Sequence, residues 1–209
     1  MKLRLTLLSA FVLAGLTLGC GGGSSAHVEP PGPATGLDYV DPSGSGWRLV
    51  KDPSSTSTRV VLALVGPAGA PSRGVGLNLQ APSTVAFQSF SDGRYLEDAG
   101  RYELLSAADD PAEPVAMVGG LKPGNVLSVG IYQKDRAKSA KDSGAPLLRI
   151  ALSLVLPTAR PAGDRQDLRV LKARIIPADI GSTTDDALTL DQKLRMAPIS
   201  VAVGTLITR

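Results

Sequence analysis

Apolar residues in this chain recur at every second position, and that spacing calls for extended backbone. The clearest run is Leu148, Ile150, Leu152, Leu154 and Leu156, set against Arg149, Ala151 and Ser153. Successive side chains of a strand point to opposite faces, so such a run buries one face and wets the other. The same alternation places Val60, Leu62 and Leu64 on one face of residues 59–65, and Val75, Leu77 and Leu79 on one face of 74–80. Leu127, Val129 and Ile131 repeat it in 126–133, as do Leu171, Ala173 and Ile175 against Lys172 and Arg174. Ile199, Val201 and Val203 oppose Ser200 and Ala202. Weaker candidates at 47–50, 84–87, 101–105 and 115–119 bring the total to about ten strands. One wet face per strand predicts antiparallel pairing.

Turn clusters punctuate the runs, among them Gly66-Pro67-Ala68-Gly69, Ser91-Asp92-Gly93 and Lys122-Pro123-Gly124. Only residues 185–196 offer a helix candidate of any length. There Leu188, Leu190 and Leu194 fit helical spacing poorly, and an irregular loop fits as well. Many short strands without a long helical pattern predict an all-β fold, an antiparallel β-sandwich.

The amino terminus follows a different rule. Lys2 and Arg4 precede the uncharged residues 5–18, the layout of a secretion signal, and 14 residues fall short of the roughly 20 a membrane-spanning helix needs. The run closes on Leu16-Thr17-Leu18-Gly19-Cys20, and Cys20 is the sole cysteine. This stretch resembles the lipobox of bacterial lipoproteins, with small Gly19 before the cysteine, and departs from it at Thr17 and Leu18. The resemblance implies cleavage after residue 19 and a lipid carrying palmitate-type chains on Cys20. Several acyl chains hold a protein at a bilayer where one holds it only reversibly. Gly21 rather than Asp follows Cys20, which resembles the outer-membrane sorting of enteric bacteria. Cleavage leaves 20 basic and 19 acidic residues, a net charge of +1, so the basic pI gives no reason to expect a nucleic-acid partner. The expected organisation is a signal peptide at 1–19, a flexible Gly/Ser/Pro tether at 20–36, and one domain at 37–209.

Within that domain, residues 59–65 are followed by Gly74-Val75-Gly76-Leu77-Asn78-Leu79 and then by Thr84-Val85-Ala86-Phe87. A strand at 126–132, a loop, and the long amphipathic run at 147–156 come after. Over residues 58–177 this order resembles the cohesin-like sandwiches, relatives of some bacterial carbohydrate-binding modules. The resemblance is one of pattern, without a diagnostic motif. It implies a jelly-roll sandwich of about nine strands that binds dockerin partners or polysaccharide without catalysis.

Catalytic motifs are scarce. The one histidine, His27, lies in the expected tether, which removes Ser-His-Asp, Cys-His and histidine-ligated metal chemistry from the domain. Gly74-Val75-Gly76 lacks the third glycine and the following helix of a dinucleotide site. Seven carboxylates, Asp92, Glu97, Asp98, Glu103, Asp109, Asp110 and Glu113, fall within 22 residues. Paired carboxylates can hydrolyse glycosides or hold calcium, and a solvated loop is the commoner use. Asp109, Asp110 and Glu113 are the candidate calcium ligands, and no other cofactor is expected.

For sugar stacking the candidates are Trp47, Tyr95 and Tyr102, although a lone Trp in a sandwich more often packs. Lys134, Arg136, Lys138 and Lys141 read first as a solvated loop between strands, with anionic lipid headgroups near the anchor as a second use. The expected protein is a lipid-anchored envelope component, not an enzyme, whose β-sandwich binds an unknown envelope protein or acts structurally. A carbohydrate-binding module is the alternative, and a carboxylate hydrolase the remote one.

Overall fold

The computed structural model of the chain describes residues 31–100, 102, 117–133, 139–179 and 195–209. In chain order the strands open with β1 (Leu37–Val40), β2 (Arg48–Lys51), β3 (Val60–Val65), β4 (Pro71–Gln80) and β5 (Val85–Gln88). Next come β6 (Glu97–Asp98), β7 (Met117–Lys122), β8 (Val126–Tyr132), β9 (Lys141–Asp142) and β10 (Leu148–Leu154). The last are β11 (Arg165–Gln166), β12 (Arg169–Pro177), β13 (Ala197–Pro198) and β14 (Thr205–Thr208). There is no helix among the described residues.

Among the described residues every strand pair is antiparallel, and three sheets result. The first has the order β2-β3-β10-β5 with β6 also on β10, the second β13-β12-β4-β8-β7 with β9 also on β4, and the third β1-β14-β11. Val60, Leu62 and Leu64 of β3 and Leu148, Ile150 and Leu152 of β10 share one buried cluster with Val75, Leu77 and Leu79 of β4 and Leu127, Val129 and Ile131 of β8. The first two sheets therefore face each other across a single core, and the chain is an all-β sandwich. Each such leucine or isoleucine contributes about 1.5–3 kcal/mol by leaving water. Leu37, Tyr39 and Leu206 join the same cluster from the third sheet.

The long runs fold as their alternation predicts, and the departures have identifiable causes. Leu171, expected to face inward, is 54% exposed. A register shift between Val170 and Lys172 makes it the extra residue of a bulge, and Val170 packs on the core instead. Residues 199–203 keep their alternating burial but form no named strand. Ile199 N–H donates to Ala173 of the second sheet and Ala202 N–H to Trp47 at the start of the first, so this extended segment crosses from one sheet to the other. β10 stops at Leu154, and Leu156, the last residue of the predicted run, is 56% exposed.

All of β3 is buried on both faces; on its outer face Arg149 stands opposite Ala63 and bonds Asp52 and Glu97. The weaker candidates at 47–50, 84–87 and 115–119 correspond to β2, β5 and β7, whereas 101–105 falls outside the described residues except for Tyr102. Residues 180–194, and with them most of the helix candidate, also lie outside; Arg195 and Met196 are not helical. The last residues assigned to the tether are docked. Ala34 is buried and its N–H donates to Arg160, while Thr35 and Gly36 donate to Arg209.

Candidate docking face

Cys20 and the calcium candidates Asp109, Asp110 and Glu113 lie outside the described residues. Of the remaining acids, Glu97 pairs with Arg149 and Asp92 caps its own turn by accepting from the Arg94 N–H. No group of three metal-ligating side chains occurs among the described residues. The aromatic candidates do not form a row. Tyr102 is 2% exposed and shares a 2.6 Å hydrogen bond with the buried Ser72 hydroxyl. Trp47 and Tyr95 are half-buried and pack against the core. Of the three rings, Tyr102 is therefore enclosed, while Trp47 and Tyr95 keep part of their surface exposed.

A different surface emerges from the register of the second sheet. Its inner face carries Val75, Leu77 and Leu79; its outer face carries the residues between them. Gly76 stands directly opposite Gly130, and Asn78 opposite Ser128. On the flanks, Lys172 pairs with Asn78 and Arg174 with Gly76 from β12, while Gly120 pairs with Ser128 and Lys122 with Val126 from β7. Together they form a groove of about 340 Å³ whose floor is Gly76, Asn78, Ser128 and Gly130. Lys122, Lys172, Arg174 and Met196 line it from the sides.

The glycines on this face have unequal reasons to be glycine. At Gly74 an added Cβ would lie 2.3 Å from Tyr132 Cβ, so the fold forbids a side chain. At Gly76 it would come within 3.3 Å of the Val129 carbonyl oxygen, which is tight. Among the described residues, the nearest atom at Gly130 is 3.7 Å away, and at Gly120 there is nothing within 4 Å. Neither has a positive φ. Strand glycines forgo cross-strand side-chain contacts and cost backbone entropy, so where the fold would admit a side chain their use points to something approaching from outside.

The groove is also a field of donors. Ser128 donates to Asn78 Oδ1 at 2.8 Å. No acidic residue lines the groove among the described residues. Ion pairs among the described residues include those of Asp38 and Asp52. Asp38, held well below the ordinary carboxylate range by Lys51 and Arg209, ties β1 to β2 and to the end of the chain. Asp52 is subject to burial, which would raise its pKa, but the hydrogen bonds from Arg149 and Ser54 outweigh that and hold it low.

No family model matches the sequence, and no curated protein matches it. Among solved structures, the sixth cohesin of scaffoldin B from Acetivibrio cellulolyticus, in complex with a Cel5 dockerin mutant, is 10% identical, with a TM-score of 0.47 over 77% of this chain and 95% of that one. The seventh type I cohesin of ScaB from Pseudobacteroides cellulosolvens is 11% identical, with 0.44 over 77% and 87%. A non-cellulosomal cohesin from Archaeoglobus fulgidus is 10% identical, with 0.39 over 82% and 88%. The chain is similar to cohesin modules. Its sandwich assignment rests on its own sheets and core, as described above.

Sequence reading did not single out the groove. Its glycines and polar residues occupy the wet positions of β4, β8 and β7, where small or polar residues are expected. What brings Gly76 beside Gly130, and Lys172 beside Asn78, is pairing between strands more than 50 residues apart, which alternation alone cannot supply.

Proposed function

We propose that the chain is a lipid-anchored, non-catalytic docking module of the cell envelope that receives a protein partner on the outer face of the second sheet. The observation that carries the reading is the pair of outward positions, Gly130 and Gly120, left without side chains that the fold would admit. The lipobox-like stretch ending at Cys20 supports the anchor, and Gly21 supports delivery to the outer membrane. The tether between Cys20 and the docked Ala34 gives the sandwich freedom to present that face.

Two measurements test the two halves. Labelling of cells with an alkyne analogue of palmitate should mark the wild-type protein and not the Cys20→Ser variant; equal labelling would remove the anchor. Purified full-length protein in detergent should capture a discrete envelope protein that the Gly130→Trp variant loses while retaining its melting temperature. Capture undiminished by Gly130→Trp would move the docking face off the second sheet.

A further inference from the structure

We infer that the Gln133 end of the sandwich holds a buried water molecule, bound by the Gln133 side-chain amide and a hydroxyl of the Ser72–Ser143 pair. Gln133 follows the last residue of β8 and continues the inward phase of Leu127, Val129 and Ile131. At such a position an aliphatic side chain would bury no polar group. Gln133 is 2% exposed, yet neither its Oε1 nor its Nε2 has a hydrogen-bond partner among the described residues. Gln166, 3% exposed, shows how the same fold treats a buried amide when protein groups suffice: its Oε1 accepts from Thr84 and its Nε2 donates to Asp164. Buried polar groups are rarely left unpaired, so the Gln133 amide calls for a partner from outside the chain.

The surroundings of Gln133 supply the remaining contacts. Its N–H donates to the Arg73 carbonyl at 2.6 Å, which sets it beside the β4 residue next to Ser72. Ser72 and Ser143 are fully buried; Ser143 donates to Ser72 at 3.0 Å, and Ser72 shares a hydrogen bond with Tyr102. Having donated to Ser72, the Ser143 oxygen keeps its own lone pairs for another donor. The chemistry of the guest follows from the amide, whose Oε1 needs a donor and whose Nε2 needs an acceptor. A cation offers no acceptor and an anion no donor. Water offers both, and it is the smallest such guest for a close-packed interior.

Oxygen-17 relaxation dispersion, which registers water itself and not exchanging hydroxyl protons, tests this by counting long-lived waters in the purified full-length protein in detergent. Gln133→Met keeps the length of the side chain and removes both polar atoms, and it should hold one such water fewer than the wild type. Gln88→Met, which removes an amide bonded to Ser153 on the first sheet, should keep the wild-type count. A count that does not fall in Gln133→Met would overturn the inference; a raised urea midpoint beside it would mark an amide buried dry, whose removal relieves a desolvation cost. An equal fall in both variants would overturn it as well. Should Gln133→Met fail to fold, the wild type decides: in water–protein Overhauser spectra the Gln133 side-chain NH2 should show contact with a bound water, and no contact would overturn the inference.

Discussion

The Tyr39 hydroxyl donates to the Leu49 carbonyl at 3.1 Å and accepts from the Gly204 N–H at 2.6 Å, joining three segments far apart in sequence. Tyr39→Phe leaves both backbone groups short of a partner and should lower stability by about 1–3 kcal/mol, read from the urea midpoint near pH 8. Burial also pushes the phenol from 10.0 up to about 12. A folded-state pKa raised above the unfolded one gives stability that is complete below pH 10 and is lost as pH rises through about 12. The wild type should therefore lose stability over that interval more steeply than Tyr39→Phe, and parallel profiles would count against the burial of the phenol. Asp52, 6% exposed, depends on Arg149 at 2.7 Å. Arg149→Leu leaves Asp52 with its Ser54 hydrogen bonds but without its charged partner, and should cost about 1–3 kcal/mol in chemical denaturation, more than an exposed pair would. At this scale the sequence was partly readable. Tyr39 and Tyr102 were visible as rare aromatics, but their partners Gly204 and Ser72 lie 165 and 30 positions away, beyond any local pattern.

Single strands tell a sharper story, because glycine acts differently at neighbouring positions of the same sheet. Gly130→Ala should leave stability unchanged or raise it by up to about 1 kcal/mol, since the new Cβ has room and the chain loses unfolded-state entropy. Gly74→Ala should destabilise, because its Cβ would have to displace Tyr132. Thermal unfolding of the two variants side by side checks this, and a Gly130→Ala variant as unstable as Gly74→Ala would mean the fold itself requires that glycine. Alternation identified β3, β4, β8 and β10 because each runs for six residues or more with one face in the core. It did not reveal β1 and β14, four residues each, where two inward side chains make no period. It also read residues 199–203 as a strand because a segment crossing between two sheets has the same wet and dry faces as one paired within a sheet.

For the molecule as a whole, the first described residues are docked at one end of the sandwich. Ala34 bonds Arg160, and Arg160 lines a surface cavity with Gln80 and Asn125, so the chain enters at the Gln80 end of β4. Lys141 pairs with Ser72 near the opposite end of that ten-residue strand, roughly 30 Å away. The sandwich class was legible because one core serves nearly every long alternating run; the proposed docking face was not, because it is made by register. Photocrosslinking in intact cells tests the central claim most directly, with a benzophenone side chain placed at Gly130 and, as a control, at Ala86 on the outer side of the first sheet. A discrete protein adduct from position 130 and none from position 86 is the expected result. Adducts from position 86 alone, or from neither, would contradict docking on the second sheet.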